Sequence, residues 1–165
     1  MSAEGLPAGA RARVVTVSDR SHGGLRHDAS GPLAADLLGA MGFAVDEVVV
    51  VPDDVPQIEA VLRAAVADGV DVCMTTGGTG FAPRDVTPEA TRQVLEKEAP
   101  GLAEAIRQHN RDRIPTTILS RATAGVAGAT IVVNLPGSTG GVRDGIEVLA
   151  PVLGHAVAQL RGEDH

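Results

Sequence analysis

Four short runs of aliphatic and β-branched residues, each followed by a segment of helical periodicity, constrain this chain more than any other feature. They cover 13–18, 44–51, 70–76 and 130–135. Each is nearly continuous in apolar character rather than alternating, which is how strands covered on both faces read, as in parallel sheets. Between them, 31–41 reads as a helix with Ser30 as its cap, Pro32 in its first turn and Gly42 as its stop. The stretch 55–68 reads as a second helix, capped by Asp54 and ended at Gly69, with Ile58, Val61, Leu62, Ala65 and Val66 as its buried stripe. A third is expected over 88–98 behind Thr87 as cap, and a fourth over 101–111. The segment 141–160 is helical in pattern, with a break expected at Ala150-Pro151 because proline removes a helix hydrogen bond. The glycines of 122–128 leave that stretch open between a turn and a short edge strand. Strand–helix alternation of this kind builds right-handed βαβ crossovers. The expected fold class is α/β, a three-layer α/β/α sandwich with a mostly parallel sheet.

The chain has 165 residues and no internal repeat. A single core of that length buries roughly 70% of the surface exposed by the unfolded chain. The expected organisation is a flexible lead-in over 1–10, one domain over 11–161 and a tail over 162–165. There is no Trp and no Tyr, and the aromatics are Phe43 and Phe81 alone. Stacking platforms for single-stranded nucleic acid need aromatics, and a net charge of −7 without a Lys/Arg block supplies no general phosphate-backbone footprint. Nucleic acid is therefore not an expected partner. A small phosphorylated ligand stays compatible, because local backbone N–H groups, helix N-termini and a divalent cation can hold it. Cys73 lies in an apolar run and reads as a small buried hydrophobe in a reducing compartment. No apolar stretch approaches 18 residues and 1–10 lacks a signal-peptide core. No membrane association and a cytoplasmic location are expected.

The polar motifs fall at the strand ends. After the first strand comes Ser18-Asp19-Arg20-Ser21, and after the second Pro52-Asp53-Asp54. After the third comes Thr75-Thr76-Gly77-Gly78-Thr79-Gly80, then Arg84-Asp85. After the fourth comes Asn134-Leu135-Pro136-Gly137-Ser138-Thr139. In a parallel sheet all four emerge at the carboxyl edge, where open α/β sheets bind ligands. The glycine loop is neither a dinucleotide fingerprint, since Pro83 stands at the third glycine position, nor a P-loop, since no Gly-Lys-Ser/Thr follows. Its glycines can still bring backbone donors to an anion. With Asp54 and Thr87 assigned as caps, Asp53 and Asp85 are left without a structural duty. Two carboxylates beside phosphates suit Mg²⁺. Pro136-Gly137-Ser138-Thr139 opens a helix, whose N-terminus and Ser138 hydroxyl can hold a phosphate. The five histidines show no metal-ligand spacing, and no Gly-x-Ser-x-Gly elbow is present.

The run Thr75-Thr76-Gly77-Gly78-Thr79-Gly80 followed by Pro83-Arg84-Asp85-Val86-Thr87-Pro88-Glu89-Ala90 closely resembles the signature of the MogA/MoaB family and the related gephyrin G domain. So do Ser18-Asp19-Arg20, Ile118-Leu119-Ser120-Arg121 and Asn134-Leu135-Pro136-Gly137-Ser138, in family order. The resemblance implies a molybdopterin-binding-like fold and a role in molybdenum cofactor biosynthesis. The activity it implies is Mg·ATP-dependent adenylylation of molybdopterin with release of pyrophosphate. It further implies a homotrimer working with other proteins of that pathway. Asp53 and Asp85 match the two acidic positions linked to Mg²⁺ and ATP chemistry. Ser18, Asp19, Arg20, Thr76, Gly77, Gly78, Thr79, Gly80, Arg84, Ser120, Pro136, Gly137 and Ser138 match positions that bind nucleotide or pterin. The Pro-Gly-Ser-Thr-Gly loop is closer to MoaB-type than MogA-type members, which leaves a pterin carrier or scaffold without transfer activity as the alternative. A CinA-type pyrophosphate enzyme is a further alternative, although Arg84-Asp85 stands where that type carries Asp-Asp. A nicotinamide dehydrogenase is disfavoured by Pro83.

Overall fold

A computed structural model describes residues 3–163 of the chain. Met1 and Ser2 of the expected lead-in, and Asp164 and His165 of the expected tail, lie outside the described residues. The sheet is built on β1 (Arg11–Val17), β4 (Val72–Thr76) and β7 (Thr130–Leu135). These three strands run parallel side by side, with Ala12 opposite Val72 and Val72 opposite Ile131. On the far side of β1 lie β2 (Ala44–Val45) and β3 (Val49–Val51), both parallel to it. Beyond β7 the sheet turns antiparallel, through β6 (Ala124–Ala127) to β5 (Lys97–Glu98) at the edge. The seven-stranded order is β2-β1-β4-β7-β6-β5, with β3 also on β1.

Every residue of β4 and β7 is buried, which is why these runs are continuously apolar. Helices α2 (Ser30–Ala40), α5 (Pro100–Gln108) and α6 (Thr139–Leu160) cover one face, where Leu38, Met74, Val133, Ile146 and Leu153 form the larger core. Helices α3 (Val55–Ala67) and α4 (Thr87–Val94) cover the other, over Val15, Cys73, Val132, Ile58 and Leu62. A one-turn helix, α1 (Asp19–His22), follows β1. The layered α/β fold is the one expected. Cys73 is fully buried, and desolvation pushes its thiol pKa up to about 12, so it packs rather than reacts.

Several boundaries differ from the expectation, each for a local reason. The run 44–51 is two short strands because Asp46 turns its carboxylate to the Arg13 guanidinium, 2.8 Å away. Ser30 is not the cap of α2. Asp28 takes that place, accepting from the Gly31 N–H at 3.0 Å, and Ser30 is the helix's first residue. Thr87 is not the cap of α4 either; its hydroxyl donates to the Gly77 carbonyl at 2.9 Å. That helix stops at Val94, and Lys97–Glu98 leaves it to pair with β6. The fourth helix ends at Gln108 instead of 111. The stretch 122–128 holds an internal strand rather than an edge. Finally, α6 runs unbroken through Pro151. Pro151 is exposed, so the helix carbonyl it leaves unpaired is on the side where water can satisfy it. Asp54 caps α3 through the Gln57 N–H at 3.1 Å, as expected, and Glu59 pairs with Arg63 at 2.8 Å on the helix's outer face.

The chain ends meet at Asp71, which lies just ahead of β4. Its carboxylate accepts from the Arg11 N–H at 2.8 Å and from Nε and Nη2 of Arg161 at 2.9 Å each. Arg161 also donates to the Ala8 carbonyl at 3.0 Å. Burial favours the neutral acid, but the Arg161 and Arg11 partners outweigh it and hold the Asp71 pKa below its ordinary value. The bidentate pair therefore stabilises the fold at neutral pH, and that contribution is lost as pH falls through the lowered pKa. Asp71→Ala is expected to cost about 2–3 kcal/mol at pH 7, read by urea unfolding, with the gap to wild type narrowing in acid.

Candidate functional site

Four strand ends converge at the carboxyl edge of the parallel strands. The β4 end carries the sharpest turn. Gly77 and Gly78 take φ of +92° and +69°, a left-handed pair that residues with a Cβ rarely adopt. A Cβ at Gly77 would run into the Val17 carbonyl, and one at Gly78 into the Thr87 hydroxyl. The turn is tied on both sides: the Gly77 N–H donates to the Leu135 carbonyl at 3.2 Å, and the Thr87 N–H donates to Gly78 at 3.1 Å. Below it, Asn134 of β7 is fully buried. Its amide donates to Thr75 Oγ1 at 3.0 Å and Thr91 Oγ1 at 2.9 Å, and its carbonyl accepts from the Thr123 N–H at 3.1 Å. This one side chain fixes β4, β7 and α4 to each other beneath the site.

The edge opens into two cavities. The first, about 520 Å³, is lined by Ser18, Asp53, Thr76, Gly77, Gly78, Asp85, Gly137 and Ser138, all expected from sequence. It is also lined by Thr16, Ser21, Arg26, His27, Asp28, Ser30 and Thr139, which sequence reasoning did not select. The second, about 310 Å³, is lined by the expected residues Gly80, Ser120, Pro136 and Ser138. Its remaining wall includes Ile106, Ile114, Thr117 and Leu119 and is more apolar. Ser138 lines both. Asp19, Arg20, Thr79 and Arg84 line neither.

Asp53 and Asp19 hold each other in a reciprocal pair. The Asp19 N–H donates to Asp53 Oδ2, and the Asp53 N–H donates to Asp19 Oδ1, both at 2.9 Å. Asp53 therefore does have a structural duty, pinning the β1 end to the β3 end. Arg84 does not point into the cavity; its guanidinium grips Asp19 through Nε at 2.9 Å and Nη2 at 3.0 Å. That partner, with the Asp53 N–H, holds the Asp19 pKa below its ordinary value. Asp53 is shifted the other way. Burial raises its pKa first, and the Asp19 and Asp85 carboxylates add to the rise. Asp85 is tied within its own loop, accepting from the Ala82 N–H at 3.0 Å.

The carboxylates of Asp53 and Asp85 both approach the glycine loop, at Gly78 and at Gly80. A Cβ built on Gly78 would lie 3.1 Å from Asp53 Oδ1, and one on Gly80 2.9 Å from Asp85 Oδ2. Both residues offer oxygen donors to one cavity, and burial with the neighbouring carboxylates raises the Asp53 pKa. Such a set fits a hard divalent cation better than it fits water alone.

The Asp28 carboxylate lines the same cavity. It accepts from Thr16 Oγ1 at 2.7 Å and from the Gly31 N–H, and Ser30 bridges on to Thr76 at 3.1 Å. The signal that could have found Asp28 was present: an Asp two residues before Ser30-Gly31-Pro32 is a helix-cap pattern. At the last loop, Ser138 caps α6, accepting from the Gly141 N–H at 3.0 Å. Its own hydroxyl proton remains available to an anion, as do the first N–H groups of a 22-residue helix.

Residues 13–155 match the family described as "Probable molybdopterin binding domain". The chain is 39% identical over 161 residues to the molybdenum cofactor biosynthesis bifunctional protein of Synechococcus elongatus, covering 98% of this chain and 50% of that one. It thus spans about half the length of that relative. It is 36% identical to the molybdopterin adenylyltransferase of Pyrococcus furiosus, over 90% of this chain and 89% of that one. Among solved structures, the molybdopterin biosynthesis Mog protein of Mycobacterium ulcerans superimposes with a TM-score of 0.87 at 46% identity, covering 92% of this chain and 99% of that one. The fold and the family expected from the Thr75–Ala90 run are both upheld, and the chain belongs to the probable molybdopterin binding domain family of molybdenum cofactor biosynthesis.

Proposed function

We propose that this protein is a molybdopterin adenylyltransferase, joining AMP from ATP to the terminal phosphate of molybdopterin and releasing pyrophosphate. The observation that carries the reading is the pair Asp53 and Asp85 in one cavity with the glycine loop and the α6 N-terminus. Relatives named for that activity are similar to this chain over nearly its whole length.

The two cavities divide the work. The polar one would take the triphosphate, and Asp53 and Asp85 would hold Mg²⁺ there. The ion, when bound, offsets charge on the phosphates and on the departing pyrophosphate. The second cavity takes the pterin. Its apolar walls suit a flat ring, and Thr117, whose shielded hydroxyl has no hydrogen-bond partner among the described residues, offers a polar group to the ring's edge. Ser138 and the α6 N-terminus stand where the cavities meet, so the pterin phosphate is held there by N–H and O–H donors. An oxygen of that phosphate attacks the α-phosphorus of ATP, a P–O bond forms, and the bond to pyrophosphate breaks. No nucleophile from the chain is needed, which agrees with an inert Cys73 and with Ser138 serving as a cap. The chain's contribution is alignment of two anions and donors placed for them.

The protein is proposed to act in the cytoplasm as a homotrimer alongside other cofactor-synthesis proteins. No helix of the described residues is long and apolar enough to cross a membrane. The exposed Ile114, Ile118 and Leu119 give the region beside the second cavity an apolar face that assembly would cover.

Purified protein mixed with molybdopterin, ATP and Mg²⁺ is expected to yield pyrophosphate and an AMP–pterin adduct. Asp85→Asn is expected to lower kcat at least about 100-fold. Tight pterin binding with no adduct from the wild type would replace this reading with that of a carrier. Asp53 supplies a second test. Its raised pKa means that the ionised form costs stability at neutral pH, a cost that fades as pH falls through that pKa. Asp53→Asn keeps an acceptor for the Asp19 N–H and removes the charge. It is expected to raise Tm at pH 7 by about 1–3 °C while abolishing turnover, with the Tm gain vanishing in acid. Mg²⁺ is expected to raise the Tm of the wild type but not of this variant.

A further inference from the structure

We infer that Arg121 is a positioning residue that sets the place of Asp85, an inference that rests on the adenylyltransferase reading for its catalytic consequence. The loop from Thr79 to Asp85 leaves the sheet and returns to α4; Arg84 ties its side-chain face to Asp19, while the main chain at its two ends needs other anchors. Arg121 supplies them from the far side of the site. Its Nε donates to the Gly80 carbonyl and its Nη2 to the Asp85 carbonyl, both at 2.8 Å. Its backbone N–H donates to the Thr79 carbonyl, also at 2.8 Å. Its third nitrogen, Nη1, is neutralised by Glu89 in the first turn of α4.

Nε and Nη2 form one rigid edge of the guanidinium. That edge spans two carbonyls five residues apart on the same loop, so the width of the loop is set by the width of a planar group. Lysine has one flexible point of charge and cannot hold both. Inside the bracket, the Asp85 N–H returns to the Ala82 carbonyl at 2.9 Å and the Asp85 carboxylate accepts from the Ala82 N–H. The direction of the carboxylate therefore follows from where Arg121 holds the main chain at either end. Arg121 also follows Ser120, a wall residue of the second cavity, while Asp85 lines the first. The guanidinium is thus one direct link between the two walls, beside Ser138, which lines both.

The test compares full-length wild type with Arg121→Lys and Arg121→Gln by amide hydrogen exchange and by Mg²⁺ titration of adenylyl transfer. Both variants are expected to keep wild-type exchange in β1 and β4 while the amides of Ala82 and Asp85 exchange about 10-fold faster or more. Turnover is expected to fall about 10- to 100-fold in kcat, with the KM for pterin nearly unchanged. The Mg²⁺ concentration for half-maximal rate is expected to rise several-fold, a change that simple loss of stability would not produce. Wild-type exchange at Ala82 and Asp85 in both variants would overturn the inference, as would a loss of kcat with an unmoved Mg²⁺ response. Loop exchange is read without turnover. A wild type that transfers no adenylyl group would sink the enzymatic reading while exchange still decides whether Arg121 holds Asp85. Full transfer with a normal Mg²⁺ response in both variants would sink the Arg121 role and leave that reading standing.

Discussion

The site depends on two consecutive left-handed residues. Gly77 and Gly78 turn the chain so tightly at the end of β4 that three other segments close around them. The Val17 carbonyl approaches one side, the Thr87 hydroxyl and Asp53 the other, and Gly137 comes from the β7 loop to within contact of Gly77. A side chain at either position would push these neighbours apart. With hydrogen alone there, the ends of β1, β3, β4 and β7 share one small volume. Their polar residues then meet without any long loop to bring them together. The buried Asn134 makes that closeness stable, because it satisfies Thr75, Thr91 and the Thr123 N–H at once. A hub of this type has no tolerance for slippage between strands, since each displaced partner would be a buried group without a hydrogen bond.

Charge in the site is distributed unequally, and the distribution has a physical source. Arg84 is committed to Asp19, which lowers that carboxyl's pKa and removes Arg84 as a cation for the cavity. Asp53 receives the Asp19 N–H but also faces the Asp19 and Asp85 charges from a half-buried position, and its pKa rises. The result is one carboxylate that is electrostatically satisfied and one that is not. The unsatisfied one is the one that lines the cavity. A positive charge placed beside Asp53 would offset the repulsion from Asp19 and Asp85 that raises its pKa.

Much of this was legible in the sequence because the signals were local. Continuous apolar runs with intervening helical periods gave the layers, and the polar strand ends gave the edge. What the sequence hid was non-local. Asp46 looks like part of a strand until Arg13, 33 residues away, claims its carboxylate. Thr87 has the residue type and position of a cap, yet a stronger partner, the Gly77 carbonyl, faces it across the turn. Pro151 reads as a breaker, but its effect depends on which side of α6 it faces, and that side is fixed by packing. Lys97 and Glu98 form a strand because β6 offers them an edge; nothing in their own chemistry requires it. Arg84 and Asp19 were both singled out as binding residues, yet they line neither cavity and hold each other, a partnership that could not be read from residues 65 positions apart. The second cavity was invisible for the same reason, since its walls come from α5, the 114–120 segment and the start of α6.

An acidic chain can hold two anions because the donors that matter do not appear in its net charge. The −7 total counts side chains, whereas the cavity presents backbone N–H groups at the α6 N-terminus and the Ser138 hydroxyl. Arg26 lines the first cavity, whereas Arg84, Arg107 and Arg121 are spent on carbonyls and carboxylates. Arg107 donates to the Ala122 carbonyl and Arg121 to Gly80 and Asp85, so both shape walls rather than bind phosphate. Dipoles fixed in the main chain draw anions to this edge without entering the net charge.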